Sequence, residues 1–388
     1  MELYLDHAAT SPILNESLDA MVDAYKNLYA NPSSAHDFGI QVEKRSKQAK
    51  KNILSFLAGK PENLILTSGG TESNNQIIFS QLTRKTGKNQ SFLTTSIEHN
   101  SVLEPIKYWS SQPDKVRLLK TEKISGEISL DHLEDILNHE QENLAFVSLI
   151  HANNETGIIQ PLEQAIRLIK QKSPQAFIHV DGSQSFGKIP VHNLLALVDA
   201  FSISSHKLKG PRGIGALWVK EPNKILPLLH GGGQEHGKRS GTENTPALIG
   251  FEKSVMIAHD NIEKKNMVRF DIRRNIIEQI RSKITDFYVI GSKRSQLPGI
   301  LMIAFKDVKS EVLLRSLESE GIYLSSGSAC NSKNESISHV LKAMHISPDW
   351  AEGALRISFD EMMSENEIKY LTDMLEKHVK RIRKWVKR

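Results

Sequence analysis

Lys207 stands in Ser202-Ile-Ser-Ser-His-Lys207-Leu-Lys-Gly-Pro211, a lysine among hydroxyl side chains and a histidine. A lysine amine forms a Schiff base with an aldehyde cofactor, Ser204 and His206 can hold a phosphate, and Gly210-Pro211 fixes the turn. Upstream, the apolar run Ile178-His-Val ends in Asp181. A carboxylate beside a pyridine nitrogen keeps the ring protonated and makes it the better electron sink. A lysine before Gly-Pro is by itself an ordinary loop residue. Paired with an aspartate at a strand end, it points to pyridoxal phosphate chemistry.

Other residues suit the same chemistry. Leu64-Ile-Leu-Thr runs into Gly69-Gly70-Thr71, where backbone amides at a helix start can bind an anion and Thr71 adds a hydroxyl; an ordinary capped helix with Thr71 as cap is the plainer reading. His99 ends the strand beginning at Phe92, on what should be the ligand-binding edge of a parallel sheet, where it can stack on a ring and move protons. Asn153 and Asn154 can donate amides to a substrate carboxylate, and Arg356, in Ala354-Leu-Arg-Ile-Ser-Phe359, suits bidentate capture of the same group. In the glycine-rich loop 228–244, Arg239 and Thr242 suit a phosphate. Cys330, the sole cysteine, sits in Ser325-Ser-Gly-Ser-Ala-Cys330-Asn-Ser-Lys-Asn334, a setting for a reactive thiol more than for a buried structural one. One cysteine excludes an intrachain disulfide and a Cys-rich metal site, and no metal is expected.

These residues need a scaffold that brings strand ends together. Strands rich in Val, Ile and Leu alternate with helical patterns, which predicts an α/β fold with a mainly parallel sheet covered on both faces. Helices are predicted over 15–28, 41–57 and 310–319, and the apolar run from Leu194 to Phe201 is read as a strand before the Lys207 loop. A single long helical pattern over 246–284 bridges into a second domain with strands at 287–290, 299–305, 322–324 and 354–359. Ser364 and Glu367 form a capping box for a last helix with the stripe Ile368, Leu371, Leu375, Val379, Ile382 and Val386. The expected division is a large cofactor-binding domain, 15–260, and a small α+β domain, 1–14 and 261–388, carrying the cysteine loop.

The bulk numbers agree with a soluble enzyme. At 388 residues, with 39% hydrophobic and 24% charged residues, the chain exceeds one typical core. No apolar run approaches the length of a membrane helix and the N-terminal residues lack the pattern of a signal peptide, so a cytoplasmic location is expected. The net charge of +5 owes much to the C-terminal run from Lys377, read as a solvated helix face and not as a nucleic-acid surface.

Taken in order, these stretches resemble the cysteine desulfurases of the NifS/IscS type, in the class-V aminotransferase group of fold-type I pyridoxal phosphate enzymes. The resemblance rests on Tyr4-Leu-Asp-His-Ala-Ala-Thr, Asn31-Pro-Ser-Ser-Ala-His, Thr67-Ser-Gly-Gly-Thr-Glu-Ser-Asn-Asn, Glu98-His99, Asn153-Asn-Glu-Thr-Gly, His179-Val-Asp-Gly-Ser-Gln, Ser205-His-Lys, Arg239-Ser-Gly-Thr and Ser326-Gly-Ser-Ala-Cys. It implies a large domain built on a seven-stranded type of sheet. It implies that Lys207 carries the cofactor and shuttles the Cα proton, that Asp181 pairs with the pyridinium, and that Gln184 bonds the ring hydroxyl. Gly70, Thr71, Ser204 and His206 would hold the phosphate, joined by Thr242 from the other subunit of a homodimer. His99 would stack on the ring as acid or base, Asn154 and Arg356 would hold the carboxylate of L-cysteine, and Cys330 would take the sulfur as a persulfide. The implied acceptor is a protein of iron–sulfur cluster assembly or tRNA thiolation. His7, Gly70, His236 and Asn331 depart from the usual pattern without removing a catalytic group. Selenocysteine lysis or transamination on the same fold, and a non-catalytic cofactor-binding scaffold, are the alternatives; neither needs a thiol such as Cys330.

Overall fold

The computed structural model describes residues 2–84, 90–110, 113–140, 143–292, 295–326 and 337–386. Strand β1 (Leu3–Tyr4) is followed by helices α1 (Asn15–Asn27) and α2 (Asp37–Leu54), close to the expected bounds. Strands and helices then alternate: β2 (Leu64–Thr67), α3 (Gly70–Arg84), β3 (Ser91–Thr95), α4 (Asn100–Trp109), β4 (Val116–Leu119), α5 (Leu130–Glu140), β5 (Leu144–Ile150), α6 (Leu162–Lys172) and β6 (Phe177–Asp181). Next come α7 (His192–Leu197), β7 (Ala200–Ser204) and β8 (Gly215–Val219).

Strands β2 to β8 form one 7-stranded sheet in the order β2-β8-β7-β6-β5-β3-β4. Neighbours from β7 through to β4 pair in parallel, while β8 runs antiparallel to both β2 and β7. One apolar cluster, with Val147, Ile178, Phe201 and Phe251, covers one face, and another, with Ile77, Phe146, Phe177 and Leu217, covers the other. That two-sided burial is why β5 and β6 are buried at every position and are mostly apolar. The C-terminal ends of β2, β3, β5, β6 and β7 therefore open on the same edge.

Two expectations are corrected here. The apolar run before Phe201 is not one strand: residues 192–197 form α7 and only Ala200–Ser204 is strand. A short apolar run fits either period, and here one turn of helix returns the chain to the sheet. The pattern over 246–284 is two helices, α8 (Thr245–His259) and α9 (Ile262–Lys283). They part at Asn261, which takes a left-handed conformation (φ 53°) that asparagine tolerates better than most residues.

The remainder holds β9 (Phe287–Ile290), β10 (Ile300–Phe305), α10 (Ser310–Glu318), β11 (Ile322–Tyr323), β12 (Ser325–Ser326), α11 (His339–Ala343), α12 (Pro348–Ala351), β13 (Ala354–Ser358) and α13 (Glu365–Val386). The antiparallel order β12-β13-β10-β9 forms a second sheet, and β1 pairs in parallel with β11. The expected capping box starts α13: Glu367 N–H donates to Ser364 Oγ at 3.3 Å and Ser364 N–H to Glu367 Oε2 at 2.7 Å. Ile368, Leu371, Leu375, Val379 and Ile382 are buried, each contributing about 2 kcal/mol by removal from water. Among the described residues no helix is long and apolar enough to cross a membrane.

Candidate active site

The parallel edge of the large sheet opens on a cavity of about 500 Å³, where the second sheet supplies Arg356 from β13. Gly70, Thr71, His99, Asn154, Asp181, Gln184, Ser204, His206, Lys207 and Arg356 all line it. Ten sequence-predicted residues, spread from 70 to 356, thus meet in one place. Thr242 does not: it is exposed on its loop, away from the cavity lining of its own chain. Cys330 lies outside the described residues.

Asp181 ends β6 and is buried to 4% exposure. Its Oδ2 accepts from Asn74 Nδ2 at 2.8 Å and its Oδ1 from the Ser183 N–H at 2.9 Å, which fixes the carboxylate plane. Lys207 sits in a one-turn 3₁₀ helix (Ser205–Leu208) directly after β7, and its Nζ donates to the Ala8 and Ala9 carbonyls at 2.6 and 2.5 Å. The N-terminal segment therefore forms one wall and steadies the amine. Gln184 Nε2 donates to Ala8 O and its Oε1 accepts from Lys188 Nζ, each at 2.8 Å. That leaves one amide N–H for a ligand. Burial, and then the charge of Lys207, pushes Lys188 down to about 7.

At the other end, α3 begins at Gly70 against Ser204 and Ser183. Among the described residues no capping bond from Thr71 is seen; Ser68 N–H instead donates to Glu72 Oε2 at 2.8 Å, and Thr71 is exposed at the rim. His206 Nδ1 lies 3.0 Å from Thr10 Oγ1, and burial followed by Lys207 lowers its pKa to about 4. The cation there is Arg212, which lines the cavity with its Nε donating to Thr10 Oγ1 at 3.3 Å; the sequence reading passed over it. Arg239, expected to suit a phosphate, is instead paired through Nε and Nη2 with Glu72 at 2.9 and 3.3 Å.

His99 caps α4, its Nδ1 accepting from the Ser101 N–H at 3.1 Å. Burial holds its pKa below the usual value, with Asp181 pulling the other way and Lys207 and His339 adding to the decrease. Arg356 is 2% exposed; its Nη2 donates to Asp6 Oδ1 at 2.6 Å and its Nη1 to Asn154 O at 2.9 Å. Ala8, Ala9, Thr10, Asn74 and Ser101 were also missed. Only the fold brings them to the site, although the run from Tyr4 to Thr10 carried the resemblance.

A buried carboxylate at one side, an amine opposite, and a Gly69–Gly70 cradle at a helix start with Arg212 beside it form a donor set that suits a protonated pyridine bearing an aldehyde and a phosphate. That combination, on an α/β sheet of this order, defines a fold-type I pyridoxal phosphate scaffold. The family model "Aminotransferase class-V" matches residues 3–371. The chain is 34% identical to "Cysteine desulfurase IscS" of Dictyoglomus turgidum over 98% of its own length and 95% of that protein. The solved "NIFS-LIKE PROTEIN" superposes with a TM-score of 0.90 at 32% identity, covering 98% of this chain and 100% of that one. "SspA in complex with cysteine" superposes at 0.79 with 29% identity, over 93% and 100% respectively. The chain belongs to the class-V aminotransferase family and, within it, to the NifS/IscS-type cysteine desulfurases.

Proposed function

We propose that the protein is a pyridoxal phosphate-dependent L-cysteine desulfurase that releases L-alanine and leaves the sulfur as a persulfide on Cys330. The observation that carries the reading is the convergence of Lys207, Asp181 and Arg356 on one cavity, in a chain whose relatives are named for that reaction and one of whose structural neighbours is named as a complex with cysteine.

Bound there, pyridoxal phosphate supplies an aldehyde carbon and an electron sink for the charge left at Cα. Asp181 is the partner for the ring nitrogen and Gln184 for the ring hydroxyl; Gly70, Thr71, Ser204 and His206 hold the phosphate, with Arg212 beside them. Lys207 Nζ takes the Cα proton of the substrate. Arg356 and Asn154 orient the substrate carboxylate, with Asp6 as the counterion that Arg356 holds before substrate arrives. His99 covers the ring and handles protons. The Cys330 thiolate forms the new S–S bond to the substrate sulfur, the Cβ–S bond breaks with its electron pair staying on carbon, and protonation of that carbon yields alanine.

The same reading makes the protein a cytoplasmic homodimer in which Thr242 serves the partner's phosphate site, which fits its exposure outside its own cavity. It divides the chain into a large domain, 15–260, and a small domain, 1–14 and 261–388; the β1–β11 pairing supports the assignment of the first residues. The persulfide would pass to an acceptor protein of cluster assembly or tRNA thiolation.

The test is mass spectrometry of the cofactor-loaded protein after L-cysteine without reductant, with alanine assayed in parallel. One added sulfur on the Cys330 peptide together with alanine is expected. Alanine or pyruvate with an unmodified Cys330 would overturn the reading.

A further inference from the structure

His99 caps α4 and Asp181 ends β6, yet a run of hydrogen bonds joins them through the side chains of Ser101 and Asn74. The Ser101 N–H donates to His99 Nδ1, and Ser101 Oγ lies 2.8 Å from the same nitrogen. Asn74 Nδ2 lies 2.9 Å from Ser101 Oγ and 2.8 Å from Asp181 Oδ2. Asn74 is 1% exposed and Ser101 is 8% exposed, so water does not compete freely for these bonds.

Each direction in this chain is forced. An amide N–H can only donate, so His99 Nδ1 accepts and bears no proton. Ser101 Oγ, facing that lone pair, donates as well. An ionised carboxylate can only accept, so Asn74 turns its NH₂ and not its carbonyl toward Asp181. The second hydrogen of that NH₂ then meets Ser101 Oγ, which is free to accept because its own hydrogen points at His99. Asn74 Oδ1 has no partner among the described residues, so the amide is oriented by its two donations. The proton of the neutral imidazole is left on Nε2.

We propose that Ser101 and Asn74 are positioning residues that hold His99 as the neutral Nε2–H tautomer and couple its proton affinity to the charge on Asp181. This rests on the reading of His99 and Asp181 given above. A proton added at Nδ1 would face the Ser101 N–H, and Ser101 would have to turn its hydroxyl round while Asn74 keeps a hydrogen pointed at it. The arrangement therefore opposes protonation at Nδ1, and His99 exchanges its proton with ligands through Nε2 alone. Asp181 across the cavity favours the charged ring, whereas Lys207 after β7, His339 on α11 and burial oppose it. Glu98, next in sequence, is buried with its Oε1 accepting from Thr95 and from the Ile150 N–H.

Nuclear magnetic resonance of histidine-labelled protein, loaded with pyridoxal phosphate and without cysteine, tests this. The His99 signals are assigned by their loss in His99→Gln. Wild type is expected to show the Nε2–H tautomer. In Ser101→Ala and in Asn74→Ala the His99 titration is expected to move up by about half a pH unit or more, roughly threefold in proton affinity. The double variant should shift no further than the larger single, since both break the same chain. Ser101→Thr, which keeps the hydroxyl, should titrate as wild type. An Nδ1–H tautomer, an unmoved titration in Ser101→Ala, or additive shifts in the double variant would overturn the proposal. If Asn74→Ala does not fold, the Ser101→Ala and Ser101→Thr pair decides alone. No turnover is read, so failure of the desulfurase reading would leave this answer standing.

Discussion

Arg356 and Asp6 form an ion pair, Nη2 to Oδ1 at 2.6 Å, across 350 residues of sequence. Arg356 is almost fully buried and Asp6 is partly exposed, so a carboxylate arriving from the cavity meets a guanidinium already oriented and partly neutralised. Replacing Arg356 by Ala should lower kcat/KM for cysteine roughly 100-fold, about 3 kcal/mol of a charge-assisted bond. Most of that should appear as a raised KM in steady-state alanine assays. A variant with unchanged KM would remove Arg356 from substrate binding.

Asp6→Asn should act in the opposite sense on affinity. It frees Arg356 from its resident counterion, so KM is expected to fall while the melting temperature drops, because a buried cation has lost its partner. Thermal melts and alanine assays on the same preparation check both limbs. A rise in KM would mean that Asp6 orients Arg356 more than it competes with substrate.

The Gly69–Gly70 turn, the phosphate cradle of the proposed function, depends on a glycine outside it. A Cβ on Gly215 would lie 2.5 Å from Ile203 O and 2.7 Å from Gly69 Cα, both backbone atoms that cannot swing aside. Gly215→Ala is expected to cost about 1–3 kcal/mol of stability through overpacking. By pushing on Gly69 it should also weaken pyridoxal phosphate affinity, read by titration at a temperature well below the melt. Lost stability with wild-type affinity would show that β8 can yield without moving the cradle.

Two buried carboxyls give stability a pH dependence. Burial pushes Glu155 up to about 7, opposed by the bond from Ser338, and pushes Glu98 up to about 8. The folded chain keeps protons there that the unfolded chain gives up near pH 4.5, so this contribution is complete below that pH. It is lost as pH rises through about 7 for Glu155 and about 8 for Glu98. Glu155→Gln has no charge to bury. Its stability relative to wild type should climb between about pH 5 and 8, by up to about 3 kcal/mol, in denaturant titrations across that range. Parallel curves would mean that Glu155 is ionised in the folded protein.

The dimer reading makes a complementation prediction. Thr242→Ala should weaken cofactor binding although Thr242 lies outside its own chain's cavity. Mixed dimers with Lys207→Ala should recover affinity at the intact-lysine site, because Thr242 there comes from the other chain. Absence of recovery in verified mixed dimers would argue against a shared site.

Asp181 and Arg356 were legible because one ends and the other interrupts an apolar strand, and Lys207 and His99 because each follows one closely, although β3 stops at Thr95 and His99 caps α4 instead of ending a strand as expected. Arg212 was not, since an exposed arginine after Gly-Pro looks like any loop residue. Nor were Asn74 and Ser101: Asn74 meets Asp181 only when α3 packs beneath β6, 107 residues away. The single helix expected over 246–284 failed at Asn261, a break that no glycine or proline announces. The motif from Tyr4 to Thr10 was visible, but its task of bonding Lys207 and Arg356 appears only once β1 has paired with β11.

That pairing has a consequence for how the molecule is made. The first strand waits for β11, and Asp6 waits for Ser358, through nearly the whole of translation. A nascent chain can lay down the sheet and the lysine while one wall of the cavity and its buried arginine are still missing. Until the ribosome has delivered Arg356 on β13, the cavity lacks the side that the second sheet supplies.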